Sequence, residues 1–192
     1  MTWRRGSLTW PACSAALAAF AVLAYSSARS TLDWQPALAD AEPWRLWSAA
    51  FVHWSTAHLL ANLTGCAVVG AFGWAAGAGR RAVLAWLLSW PLAHAALAMQ
   101  PALQHYGGLS GVLHAGVAVA AMGLLDQGTQ RQRIGWLVLA GLALKIVFEQ
   151  PWAQALVAAT DAEFAVAPLA HASGALAGVL CALMLRPAAA PR

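Results

Sequence analysis

The sequence predicts an all-α membrane protein, a single domain over residues 1–192 built as a bundle of six transmembrane helices. Three observations lead there. The first is composition: of 192 residues, 61% are hydrophobic and only 9% are charged, too few charges to cover a water-soluble globule of this size. Mean hydropathy is +0.62. The second is patterning, because the apolar residues fall in uncharged runs long enough to cross a hydrocarbon core of about 30 Å at about 1.5 Å per residue. The third is charge placement: basic residues sit in pairs between the runs, as membrane topology requires. A net charge of +4 would also suit nucleic acid, but this placement makes the lipid bilayer the partner and argues against nucleic acid. Cys13, Cys66 and Cys181 lie inside apolar runs with neither metal spacing nor a pairing pattern and read as small core residues. No metal or cofactor is called for.

The elements follow in order. After the short basic stretch Met1 to Arg5, Gly6 to Ala28 carries no Asp, Glu, Lys or Arg and predicts the first span. A cleaved signal peptide is the rival reading; the run is long for such a peptide's apolar region, which favours a retained helix. Arg29 to Trp54 is a loop holding Trp34, Trp44, Trp47 and Trp54 among charges, a composition that belongs at the membrane–water interface. Within it Pro43 to Ser48 predicts a short interfacial helix with Pro43 in its first turn. The second span runs from Thr56 to Trp74 and is closed by Gly77-Ala78-Gly79-Arg80-Arg81.

From Ala82 to Leu125 no formal charge occurs, too long a stretch for one crossing. Gln100-Pro101, Gln104-His105 and Gly107-Gly108 divide it into a third span, Ala82 to Met99, and a fourth, Ser110 to Leu125. Asp126 to Arg133 is a polar turn, and Ile134 to Phe148 makes a fifth span with Lys145 near its end, where it can snorkel. Glu149 to Glu163 reads as an acidic loop, and Phe164 to Leu185 as the sixth span.

Counting basic residues sets the orientation. With both termini cytoplasmic, the inner ends hold Arg4, Arg5, Arg80, Arg81, Arg131, Arg133, Arg186 and Arg192, leaving Arg29, Arg45 and Lys145 outside. Spans two, four and six then all begin at the outer face. That brings His58 and Asn62, Ser110, and His171 to one depth. His58 and Asn62 are four residues apart and share a helix face. Polar side chains within a membrane need partners, so four at one level point to a shared, water-accessible site. Taken singly, each reads equally as interhelical glue.

Ser110 opens its span inside Gly107-Gly108-Leu109-Ser110-Gly111-Val112-Leu113-His114, where flanking glycines allow close approach to the hydroxyl. Ala170, Gly174 and Gly178 recur every four residues on the sixth span, and Gly111 with Ala115 forms a matching stripe on the fourth. Small residues let backbones meet, and such an approach would bring the His171 imidazole to Ser110 as general base.

In these residues the chain resembles the rhomboid intramembrane serine proteases: Trp44-Arg45, His53 before His58, His58-x-x-x-Asn62, Gly108-x-Ser110-Gly111 and His171-x-x-Gly174-x-x-x-Gly178 fall in the family's order across nearly the whole chain. The resemblance implies a catalytic Ser110–His171 dyad without an acid, and an oxyanion hole from His58, Asn62 and the Ser110 backbone N–H. One position departs: the family usually has a tyrosine one turn after the serine, stacked on the dyad histidine, and here it is His114. That string resembles the rhombosortase subfamily. The resemblance therefore implies clients that are membrane-anchored proteins with a C-terminal Gly-Gly motif, an apolar helix and a basic tail, in a bacterial inner membrane with the site facing the periplasm. An inactive client-binding relative is the main alternative, although such relatives usually lack the serine or the histidine. A rhomboid protease with another substrate class is a second. A small transporter would show repeat halves and polar groups at the midplane rather than near one face.

Overall fold

The computed structural model describes residues 7–27, 29–158 and 164–186. Six long helices organise them: α1 (Thr9–Ala24), α2 (Thr56–Ala76), α3 (Arg80–Ala95), α4 (Ser110–Leu124), α5 (Thr129–Glu149) and α6 (Pro168–Met184). Each lies on one of the predicted apolar runs. Thr56–Ala76 and Arg80–Met99 are long and apolar enough to cross a membrane, and α1, α4 and α6 are shorter apolar helices. Val68, Leu88, Leu137, Phe148, Leu176 and Met184 all point outward, an apolar exterior that water would penalise and lipid would not.

Local chemistry sets the ends. Ser55 caps α2, its Oγ accepting the His58 N–H at 3.1 Å, and Gly77 stops it at a φ of 76°. Several boundaries differ from the sequence reading. The interfacial helix predicted from Pro43 begins at Arg45 and runs into a 3₁₀ turn, Ala49–Phe51. The third span ends as a 3₁₀ turn, Ala96–Met99. Helix α5 starts at Thr129 rather than Ile134 because its arginine-bearing first turns continue the helix beyond the apolar run. Helix α6 starts at Pro168, since Ala165–Val166 pairs antiparallel with Val157–Ala158 and proline suits a first helical turn. Arg4, Arg5 and Arg192, which entered the count of basic residues, and Glu163, which ends the acidic loop, lie outside the described residues.

Helix α4 is the hub. It packs against α2, α3, α5 and above all α6. Of its residues only Ser110, His114, Val117 and Gly123 are not buried. The other joints pair an indole or hydroxyl with a neighbouring backbone carbonyl. Trp10 Nε1 donates to Val69 O at 2.9 Å, Ser14 Oγ to Cys66 O at 2.6 Å and Trp86 Nε1 to Val112 O at 2.7 Å. Each bond satisfies a buried donor that has no water to turn to, and Trp10 and Trp86 stack at 4.5 Å.

The two ends of the bundle differ. Where α2, α4 and α6 begin, a cavity of about 680 Å³ opens, with His58, Ser110 and Ala167 in its lining. At the opposite end Arg80, Arg81, Asp126 and Arg186 border a second cavity of about 500 Å³.

Candidate active site

The seam between α4 and α6 positions the central residues. A side chain at Gly174 would collide with the Gly111 carbonyl, and one at Gly178 would meet the Ala115 carbonyl at 2.5 Å. On the other face of the seam, a Cβ at Gly111 would meet Ala170 O at 2.8 Å. Backbone therefore lies against backbone, as the small-residue stripes predict. Ser110 and His171 flank this contact, one beside Gly111 and the other beside Ala170.

The His171 ring is held on two sides. His114 stacks on it at 4.1 Å with 12° between the planes, and His114 Nδ1 donates back to the Ser110 carbonyl at 2.7 Å. On the other side, His171 Nδ1 lies 2.7 Å from Glu149 Oε2. Lys145 Nζ pairs with the other oxygen of that carboxylate and stands 3.4 Å from His171 Nδ1. The two neighbours ask opposite things of Nδ1, a donor for Glu149 and an acceptor for Lys145. The much shorter contact is to the carboxylate, which places the proton on Nδ1 and leaves the Nε2 lone pair free. Nε2 is buried and has no hydrogen-bond partner among the described residues.

The approach to Ser110 is shaped by Gly108, whose φ is 127°, a conformation that favours glycine. A Cβ there would meet His58 Nε2 at 2.7 Å and Asn62 Nδ2 at 3.6 Å, so both side chains face the backbone just before the serine. The Trp54 amide donates to His58 Nδ1 at 3.4 Å, which leaves Nε2 of that ring as the N–H. Asn62 Nδ2 also donates to His58 O at 3.2 Å. The His58 ring stacks on Phe164 at 4.8 Å and tilts against His53 at 4.9 Å. Burial pushes the His53 imidazole below its ordinary value, so it stands there neutral.

Buried bonds in the loops at this end of the bundle hold this backbone. Trp34 and Tyr106 exchange backbone hydrogen bonds at 2.8 and 2.9 Å, and Gly108 N donates to Ala49 O at 2.9 Å. Burial pushes the Tyr106 phenol up to about 12; it stays protonated and donates to Gly108 O at 3.1 Å. Arg45 is buried, donating to the Asp33 carboxylate at 3.0 Å and to Glu42 at 2.6 Å. Trp44, its neighbour in the motif, points outward. Asp33, fully buried, also binds His105 Nδ1 at 2.6 Å.

The structure thus gathers Ser110, His171, His114, His58, Asn62 and the glycines Gly108, Gly111 and Gly174 toward one end of the bundle, with Gly178 further along the same α4–α6 seam. Arg45 braces the loop above them, and Trp44 takes no part in these contacts. No hydrogen bond joins Ser110 to His171 Nε2. The resemblance implied a histidine without an acid; in the structure the Glu149 carboxylate lies against its ring. The sequence reading left Glu149 in a loop because α5 was ended one residue early. The signal available was Lys145 one helical turn before it, an i,i+4 pair. Tyr106 and Asp33 were also missed; both act through loop contacts that carry no spacing pattern.

The comparisons with known proteins bear on the same stretch. No curated protein matches the chain. A protein-family model, the Rhomboid domain, matches residues 40–188, which takes in α2 to α6 and the side chains around Ser110 and His171, while Asp33 and Trp34 lie before the matched stretch. By that match, which spans well over half its length, the chain belongs to the rhomboid family.

Proposed function

We propose that the chain is an active intramembrane serine endopeptidase of this family of intramembrane serine proteases, with Ser110 as nucleophile and His171 as general base. The observation that carries this reading is the buried, unpartnered Nε2 of a histidine held by ring stacking and by a carboxylate, on a helix in backbone contact with the serine's own. A buried polar nitrogen without a partner is costly, and its cost is explained if Nε2 exists to take a proton. Catalytic hydrogen bonds are often unmade before substrate binds and tighten in the complex.

In the proposed reaction Ser110 Oγ attacks the scissile carbonyl carbon while its proton passes to His171 Nε2. The carbonyl oxygen becomes an oxyanion facing His58 Nε2–H, Asn62 Nδ2 and the Ser110 amide. The C–N bond then breaks, the amine leaves with the proton from His171, and water hydrolyses the acyl-enzyme by the same steps. Six spans with both termini cytoplasmic would put this chemistry at the periplasmic face of a bacterial inner membrane.

The client class rests on His114 and the string around Ser110, which resemble rhombosortases. Clients would carry a Gly-Gly motif, an apolar helix and a basic tail at the C-terminus. Glycines fit the geometry, because a substrate helix must unwind near the outer face to offer its backbone. Co-expression with Gly-Gly-tailed proteins tests this: mass spectrometry should place the cut at or beside the glycines, on the periplasmic side. A cut in mid-helix or in the cytoplasmic tail would contradict the client class or the orientation.

A further inference from the structure

We infer that Glu149 is a positioning residue, the acid partner of His171, so that the catalytic unit is Ser110–His171–Glu149 rather than a dyad. This deepens the proposed function and rests on Ser110 and His171 acting as assigned there. Three observations carry it. Glu149 Oε2 lies 2.7 Å from His171 Nδ1, with the Glu149 side chain only 23% exposed and that of His171 only 5% exposed. The bond requires the tautomer whose lone pair is on Nε2, and Nε2 is the ring atom left without a partner. Lys145 holds the second carboxylate oxygen, which turns the first toward the ring.

The groups facing His171 are Glu149 and Lys145 from α5 and His114 from α4. Of these only the carboxylate favours the imidazolium that forms when Ser110 attacks; Lys145, and His114 if protonated, oppose it. Glu149 accepts the Nδ1–H throughout and takes no proton itself. Its contribution is to fix the tautomer and to stabilise the transient positive charge, as a carboxylate does in a serine protease triad.

The test uses the full chain in detergent and a fluorophosphonate probe, with the rate of Ser110 labelling followed against pH in the parent, Glu149→Gln, Glu149→Asp and Ser110→Ala, alongside melting temperatures. Glu149→Gln should label about tenfold to a hundredfold more slowly, less than the ~10⁴ lost when a deeply buried triad carboxylate is altered. Its acidic limb should move to lower pH, because an imidazole without the carboxylate gives up its proton more readily. Glu149→Asp should recover part of the rate with the limb near its parental position. Equal rates and limbs in parent and Glu149→Gln would overturn the assignment while leaving the protease reading intact. A slower rate with an unmoved limb and a lowered melting temperature would overturn it too, marking a contact that only holds α5 in place. A parent that Ser110→Ala shows to be unlabelled at Ser110 would overturn the protease reading and this inference together.

Discussion

Helices α6 and α5 both reach His171, and they do so in opposite ways. Helix α6 carries the histidine and lies backbone to backbone on α4, with Gly174 against Gly111 and Gly178 against Ala115. Helix α5 buries one residue, Gly135, along its whole length and touches α6 only lightly. Its link to the site is the side-chain bond from Glu149 at its last turn. Ser110 and His171 thus sit on a contact that leaves no room to shift, since close-packed backbones cannot slide without overlap. The carboxylate sits on an arm held mainly elsewhere. What α4 and α6 fix is distance; what α5 adds is charge.

The largest effects should come from the seam. Ser110→Ala and His171→Ala should each drop cleavage of a Gly-Gly-tailed client to background with the protein still inserted, because the pair act as one unit. Substantial cleavage by either variant would break the assignment. Next, His58→Ala and Asn62→Ala should slow single-turnover cleavage by about 10²–10³-fold or less, since the Ser110 amide remains as a donor. Rates equal to the parent would remove both from the oxyanion hole.

A matched pair of glycine substitutions sharpens the contrast between the helices. Gly174→Ala forces a methyl into the Gly111 carbonyl and should cost about 1–3 kcal/mol together with most of the activity. Gly141→Ala on α5 meets nothing within 4 Å and should be neutral or stabilise by up to about 1 kcal/mol. Thermal unfolding in detergent reads both, and equal losses would erase the distinction.

A subtler effect is expected at His114. His114→Tyr should retain activity, because tyrosine can also stack on the His171 ring. His114→Ala should lose more, by loosening the ring. If Ala and Tyr variants cleave like the parent at every pH, His114 has no part in the chemistry.

The helices and the α4–α6 stripe were legible because both are written in spacing: uncharged runs of bilayer length, and small residues every fourth position. The shared end of His58, Asn62, Ser110 and His171 followed from alternating helix direction alone. His114 was legible as the residue one turn below Ser110, and the structure stacks it on His171. Glu149 was not, because its partner lies 22 residues away on another helix, and a lone acid after an apolar run reads as the start of a loop. The Asp33–Arg45–His105 cluster was hidden for the same reason: its members come from two loops joined by the Trp34–Tyr106 bridge. The paired strands 157–158 and 165–166 are too short for alternation to register, and the second of them displaces the predicted start of α6.

Whether Ser110 is a nucleophile activated by His171 is read by mapping fluorophosphonate labelling by mass spectrometry on the purified protein and its His171→Ala variant. A single adduct on Ser110 is expected in the parent and none in His171→Ala, with both proteins folded by circular dichroism. No adduct on Ser110 in the parent, or an adduct formed at the parental rate without His171, would contradict that activation.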